Sequence, residues 1–242
     1  MTTGQLILIA VAIFAASFVQ VIAGFGFALL CMPIMVIAVP VEQAVVVSAM
    51  ISVLTTTWQA VHLREHAQVP LLKRLVLSSF IGMPLGLVIL NVVSDFALQL
   101  TLGISVLVAV ALLARNINLT HVGPRMDFGL GFVSGVLNTS LSTNGPPLVF
   151  DLQARRLPAE QFRATISATF ALGNIGGLSL FIADGKITRT GLHASLIALP
   201  AWALGQGLGW PIRKHFHGER FRVMVLILLL AAGVSTILFA VL

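Results

Sequence analysis

Asn138-Thr139-Ser140-Leu141-Ser142-Thr143-Asn144-Gly145-Pro146-Pro147 is a polar stretch closed by a glycine and two prolines, inside a chain that is apolar almost everywhere else. A shorter break, Ala23-Gly24-Phe25-Gly26-Phe27 followed by Pro33, falls at the corresponding point of the first half. Gly145-Pro146-Pro147 suits the start of a helix, because proline at the first helical position loses no hydrogen bond. Backbone that leaves helical geometry inside a membrane must satisfy its polar groups internally or line a wet cavity. Paired interruptions of this kind point to the binding site of a secondary transporter built from repeats.

The rest of the chain is solvated mainly by lipid. Of its 242 residues, 58% are hydrophobic and 9% charged, with a mean hydropathy of +1.03, whereas soluble domains carry about 25% charged residues. Apolar segments fall at approximately 5–22, 25–39, 43–63, 72–91, 96–114, 128–139, 145–153, 163–183, 190–210 and 222–241. No interval between them could hold an ATPase motor or an extramembrane catalytic domain, so energy is expected from an ion or substrate gradient or from a partner protein. The sequence pI is about 11.1, but the basic residues lie in short loops, where they report orientation and not a nucleic-acid partner. Cys31 is the only cysteine, which rules out an intramolecular disulfide. Met1-Thr2-Thr3-Gly4-Gln5 lacks the basic region of a cleaved signal peptide, so segment 5–22 is expected in the mature protein.

Segments 25–39 and 145–153 are too short to cross about 30 Å of hydrocarbon upright. Each follows closely on another apolar segment, so 5–22 pairs with 25–39 and 128–139 with 145–153 as hairpins that return to their starting side. On that arrangement one side receives Arg64, Lys73, Arg74, Arg115, Arg125, Arg155, Arg156, Arg163, Arg213, Lys214, Arg220 and Arg222. These are 12 of the chain's 14 Lys and Arg, and only Lys186 and Arg189 fall opposite. A single crossing by 128–153 would instead divide them 7 against 7. The positive-inside rule favours the hairpin. The predicted fold is an all-α polytopic membrane protein of two inverted repeats, 1–118 and 119–242, each a hairpin plus three spans. Both termini are then non-cytoplasmic. Pro33 is matched with Pro147, and Gly82-x-x-x-Gly86 with Gly205-x-x-x-Gly209; packing within the chain is the expected role of these glycines, with a dimer left open.

A half-helix starting at Gly145 would aim free N–H groups and a partial positive charge at the bilayer centre. Thr139, Ser140, Ser142, Thr143 and Asn144 would add hydroxyl and amide donors, making a cage for a small oxyanion without a buried basic side chain. In the first break Gly24 and Gly26 permit close approach or positive φ, Phe25 and Phe27 wall the cavity, and Gln20 is the nearest amide. Asn174 joins the candidates because an amide is hard to bury unpaired. The competing reading is that the glycines only let helices pack closely.

Other polar residues weigh less. Thr55-Thr56-Thr57-Trp58-Gln59, Ser167 and Thr169 lie within spans, where Ser and Thr tend to bond their own backbone. Arg163 either meets an incoming anion or anchors its helix at the interface. Glu42, Asp95, Asp127, Asp151 and Asp184 all fall near segment ends, so no proton-relay carboxylate is expected. His62 and His193 are weak candidates for proton coupling. His62 and His66 have a helical spacing but no third ligand nearby, so no metal site is predicted. No catalytic residue and no cofactor is expected; the partners are a small anion, a coupling proton and the bilayer.

At the two breaks the chain resembles the sulfite exporter TauE/SafE family, through Ala23-Gly-Phe-Gly-Phe-Ala-Leu-Leu30 with Pro33 and through Ser134-Gly135 to Asn144-Gly-Pro-Pro147. The resemblance covers nearly the whole chain. It implies a permease of a bacterial inner membrane that moves small sulfur-containing anions such as sulfite or organosulfonates. The alternatives are a passive small-anion channel or a carrier of a non-sulfur organic anion. The chain departs from the family's frequent run of glycines before the second proline motif: Ser142-Thr143-Asn144 stand there, a change that bears on the substrate more than on the fold.

Overall fold

The computed structural model describes residues 1–114, 123–155, 157–212 and 219–241. Arg115, Arg156, Arg213 and Lys214, and the expected repeat boundary at 118, lie outside the described residues, as do the side chains of Arg220 and Arg222. The described elements are helical: α1 (Thr3–Ala23), α2 (Phe27–Met35), α3 (Val41–Leu63), α4 (Val69–Val92), α5 (Asp95–Ala114), α6 (Pro124–Leu141), α7 (Gly145–Ala154), α8 (Ala159–Ala183), α9 (Arg189–Ile212) and α10 (Glu219–Val241). They coincide with the ten apolar segments. Five of them, α1, α3, α4, α5 and α8, are long and apolar enough to cross a membrane.

Local chemistry sets the helix starts. Thr2 and Gln5 form a reciprocal capping box at α1, satisfying two N–H groups that the first turn would leave open. Pro40 and Pro158 precede α3 and α8 in nearly the same extended conformation. Each opens a Pro-x-Glu-Gln sequence, and the two copies stand 118 residues apart.

Contacts at the two ends of the bundle fix the path of the chain. At one end Gln5 Nε2 donates to the Ala38 carbonyl at 2.7 Å, Lys186 pairs with Glu42 at 2.9 Å, and Asn91 Nδ2 donates to Asp184 at 3.0 Å. At the other end Gln68 Nε2 donates to Gln161 at 2.8 Å, His66 meets Glu160 at 3.2 Å, and Arg74 meets Asp127 at 2.6 Å. Arg155, beyond α7, also bonds Asp127 in the first turn of α6. The α6–α7 pair therefore returns to the end it started from, and so does α1–α2, from the opposite end.

The two hairpins seat on helices of the other half. α6 lies along α4, and α1 lies along α9. The α4–α6 seam is backbone against backbone: a Cβ on Gly82 or Gly86 would strike the carbonyl of Phe132 or Val136, and one on Gly135 would strike that of Ser79. Small residues serve this way in membranes, where lipid removes the hydrophobic drive between helices. In the α1–α9 seam, Gly205 meets the Phe14 carbonyl and Gly209 the Val21 side chain. Both Gly-x-x-x-Gly pairs thus pack within the chain. Further neighbours follow the same pattern: α4 with α8 and α9 with α3, α2 with α10 and α7 with α5, while α3 and α5 pack on α8 and α10. The prolines are placed differently from expectation. Pro33 is seventh in α2, whereas Pro146 and Pro147 are second and third in α7, so a proline does not mark the same turn in both.

All three tryptophans of the chain gather between α3 and α9. Trp58, Trp202 and Trp210 line a groove of about 380 Å³ with Gln206. The Trp58 and His62 rings lie 4.0 Å apart, and Trp202 Nε1 donates to Thr55 Oγ1 at 2.7 Å.

Candidate functional site: a cavity between two broken helices

Both breaks turn through left-handed backbone. Gly24 ends α1 at φ 85°, ψ −5°, and Ser142 ends α6 at φ 55°, ψ 14°. These positions are 118 residues apart, as are the helix starts Phe27 and Gly145. Glycine adopts this conformation freely. Ser142 is the only described non-glycine residue with positive φ, and its turn is held by N–H bonds from Ser142 to Asn138 O and from Thr143 to Leu137 O at 3.0 and 3.1 Å. From Asp127 to this turn α6 rises about 21 Å, so the second break lies deep in the bundle.

The starts of α2 and α7 face one cavity, lined by Gln20, Gly26, Phe27, Ala28, Leu29, Ser52, Thr56, Ser142, Thr143, Asn144, Gly145, Phe170 and Asn174. All thirteen are uncharged. Its volume is about 20 Å³, room for about one water-sized centre. One wall is a ladder of side chains. Asn144 Nδ2 donates to Asn174 Oδ1 and Asn174 Nδ2 to Thr56 Oγ1, both at 3.4 Å. Thr56 Oγ1 in turn donates to the Ser52 carbonyl at 2.6 Å. Ser134 Oγ donates to the Asn144 carbonyl at 2.9 Å, fixing the break from beneath. Gln20 is buried, and among the described residues its Oε1 has no hydrogen-bond partner.

Eight of the twelve expected site residues therefore meet: Gln20, Gly26, Phe27, Ser142, Thr143, Asn144, Gly145 and Asn174. The other four are placed elsewhere. Gly24 lies against the Arg163 stem, 3.0 Å from where its Cβ would stand. Phe25 packs edge-on to Phe162 at 6.3 Å between centroids. Thr139 donates to Met83 O at 2.6 Å, and Ser140 to Val136 O at 2.7 Å. The structure adds Ala28, Leu29, Ser52, Thr56 and Phe170. Ser52 and Thr56 stand 118 residues before Phe170 and Asn174, so α3 and α8 present matching positions to the cavity. That spacing, together with the doubled Pro-x-Glu-Gln, is the sequence signal that would have found them.

A second feature escaped the sequence. Asp127 and Asp151 are fully buried. Asp127 takes Arg74 and Arg155, while Asp151 has Arg155 Nε at 3.5 Å. Both lie near helix ends, as expected, but inside the protein.

Comparison with known proteins points to a membrane transporter. The family model described as Sulfite exporter TauE/SafE matches residues 8–236. The chain is 30% identical over 108 residues to the "Probable inner membrane transporter protein TsaS" of Comamonas testosteroni. That match covers 44% of this chain and 45% of the relative, so the chain spans less than half of the relative's length. No solved structure matches.

Proposed function

The chain belongs to the sulfite exporter TauE/SafE family of membrane transporters, and on that premise we propose that it is a secondary carrier of small sulfur-containing anions such as sulfite or an organosulfonate. One observation carries the reading: the N-terminal turns of two half-helices, α2 and α7, open on a single uncharged cavity. Each helix N-terminus is equivalent to roughly +0.5 elementary charge. Two of them supply about one positive charge, suited to a singly charged oxyanion. The first half gives N–H donors at Phe27, Ala28 and Leu29. In the second, Pro146 and Pro147 have none, and the Gly145 N–H and the second proton of the Asn144 amide stand in, since the Ser142 and Thr143 hydroxyls already donate to Ser48 Oγ and the Leu141 carbonyl.

The two halves act as inverted repeats, with Lys- and Arg-rich loops in the cytoplasm and both termini outside. The opposite entry of the two hairpins and the reciprocal neighbours of α4 and α9 support this. The cavity holds about 20 Å³, less than the substrate needs. Transport therefore requires one hairpin-bearing half to rock against the other, opening the site to each side in turn. The protein is a carrier with no chemistry of its own, and the bacterial inner membrane is its location.

Flux of radiolabelled sulfite in proteoliposomes holding the purified full chain tests this, with thiosulfate, a sulfonate and acetate as competitors. Saturable uptake blocked by the sulfur anions, and not by acetate, is the expected result. Block by acetate alone, or flux that rises linearly with concentration, would replace it with a non-sulfur carrier or a channel.

A further inference from the structure

Asp151 is the buried ionisable group that the anion site leaves unused. Its side chain is fully buried at the end of α7, and among the described residues neither carboxylate oxygen receives a hydrogen bond. Its surroundings are specific. Asp127 of α6 faces it, and Arg155, just beyond the end of α7, stands 3.5 Å away. Arg155 is already committed to Asp127, which also takes Arg74 of α4. Of the other helices packed on α7, α5 has no basic residue in its last turn. On α8, Glu160 is held by His66 and the Arg163 stem lies along Gly24. Among the described residues four charged groups thus share one pocket, and three of them satisfy each other.

We propose that Asp151 takes up and releases the coupling proton, and that its protonation closes the base of the α6–α7 hairpin onto α4. The protonated carboxyl donates its O–H to Asp127, leaving both guanidinium groups on Asp127. With the proton released, two carboxylates repel across Arg155 and compete for it, which loosens the clasp between α4, α6 and α7. Side chains of Arg74 and Arg155 remain 30% and 20% exposed, so the pocket reaches the surface at the basic end of the bundle. An ionisable side chain inside a membrane protein is costly unless it is used, and here its partners are named. The same α6–α7 unit carries Ser142, Thr143 and Asn144 to the cavity, so a change at its base reaches the site through one rigid element.

Only the flux arm of the test rests on the chain being a coupled carrier. Hydrogen–deuterium exchange of the full chain in lipid nanodiscs, corrected for the intrinsic pH dependence of amide exchange, reads the clasp without any substrate. The wild type is expected to exchange severalfold more slowly across residues 142–155 in mildly acidic than in neutral buffer. Asp151→Asn should stay slow in both, and Asp151→Glu should recover the response. A wild type with no pH response, an Asp151→Asn protein that keeps it, or its loss in His62→Gln or His193→Gln would overturn the proposal. If Asp151→Asn does not fold, the wild-type, glutamate and histidine proteins still decide. In proteoliposomes, Asp151→Asn should retain sulfite exchange and lose its stimulation by an imposed proton gradient. Stimulation that survives overturns the proposal, whereas a wild type that moves no sulfite counts against the substrate and leaves the exchange result to judge the clasp.

Discussion

The two hairpins perform the same manoeuvre with different chemistry. α1–α2 turns on glycines, presents backbone N–H groups, and is tied at its base by one amide hydrogen bond, Gln5 to Ala38. α6–α7 turns on Ser142, presents side chains, and is clamped at its base by buried charges on Asp127. Their seats differ in degree: α6 meets α4 backbone to backbone at Gly82, Gly86 and Gly135, whereas α1 meets α9 through the Phe14 carbonyl at Gly205 and the Val21 side chain at Gly209. The lesson is one of division: the first hairpin supplies a generic anion-binding surface, and the second supplies specificity on a firmer base.

Substitutions at matched places test that division. The largest effect is expected at the bases. Asp127→Asn removes the carboxylate that Arg74 and Arg155 both bond and should cost about 3–5 kcal/mol, read as a large fall in the thermal midpoint of the detergent-solubilised protein. At the breaks, Asn144→Leu removes the link to Asn174 and should cut sulfite flux on the order of 100-fold, the scale of one lost donor to an oxyanion. The folded protein should remain monodisperse. Gly24→Ala should destabilise by about 1–3 kcal/mol, since it strains a positive φ and presses on Arg163. Phe27→Leu should change flux by less than about tenfold, because the first break acts through its N–H groups; losses equal to those of Asn144→Leu would erase the contrast. The smallest effect is Gln5→Leu, expected to cost about 1 kcal/mol by the same melting measurement.

Much of this architecture is legible in the residues alone. Apolar periodicity and length locate the ten helices, and the uneven distribution of Lys and Arg leads to the returning hairpin that Arg155 and Asp127 close. Gly145-Pro146-Pro147 is recognisable as a helix start, because proline constrains the backbone independently of tertiary context. What escapes depends on partners far along the chain. Asp127 and Asp151 look like interfacial carboxylates until α4 brings Arg74 beside them. Ser52 and Thr56 look like helix-bonded hydroxyls, and Thr56 does bond its own backbone, yet Asn174 also reaches it from α8. Thr139 and Ser140 sit in the polar stretch by sequence, but helical geometry turns them onto Met83 and Val136. A polar run names the neighbourhood of a site; the helix phase selects its members.

The gathering of Trp58, Trp202 and Trp210 in one groove has an optical consequence. The chain has no tyrosine and no other tryptophan, so its near-ultraviolet emission originates from this single locale. Trp202 is hydrogen-bonded to Thr55, the neighbour of cavity-lining Thr56, and the Trp58 ring lies tilted against the imidazole of His62. Any sliding of α3 past α9 alters the polarity and quenching around these indoles at once. The unlabelled protein carries its own fluorescent gauge of that motion.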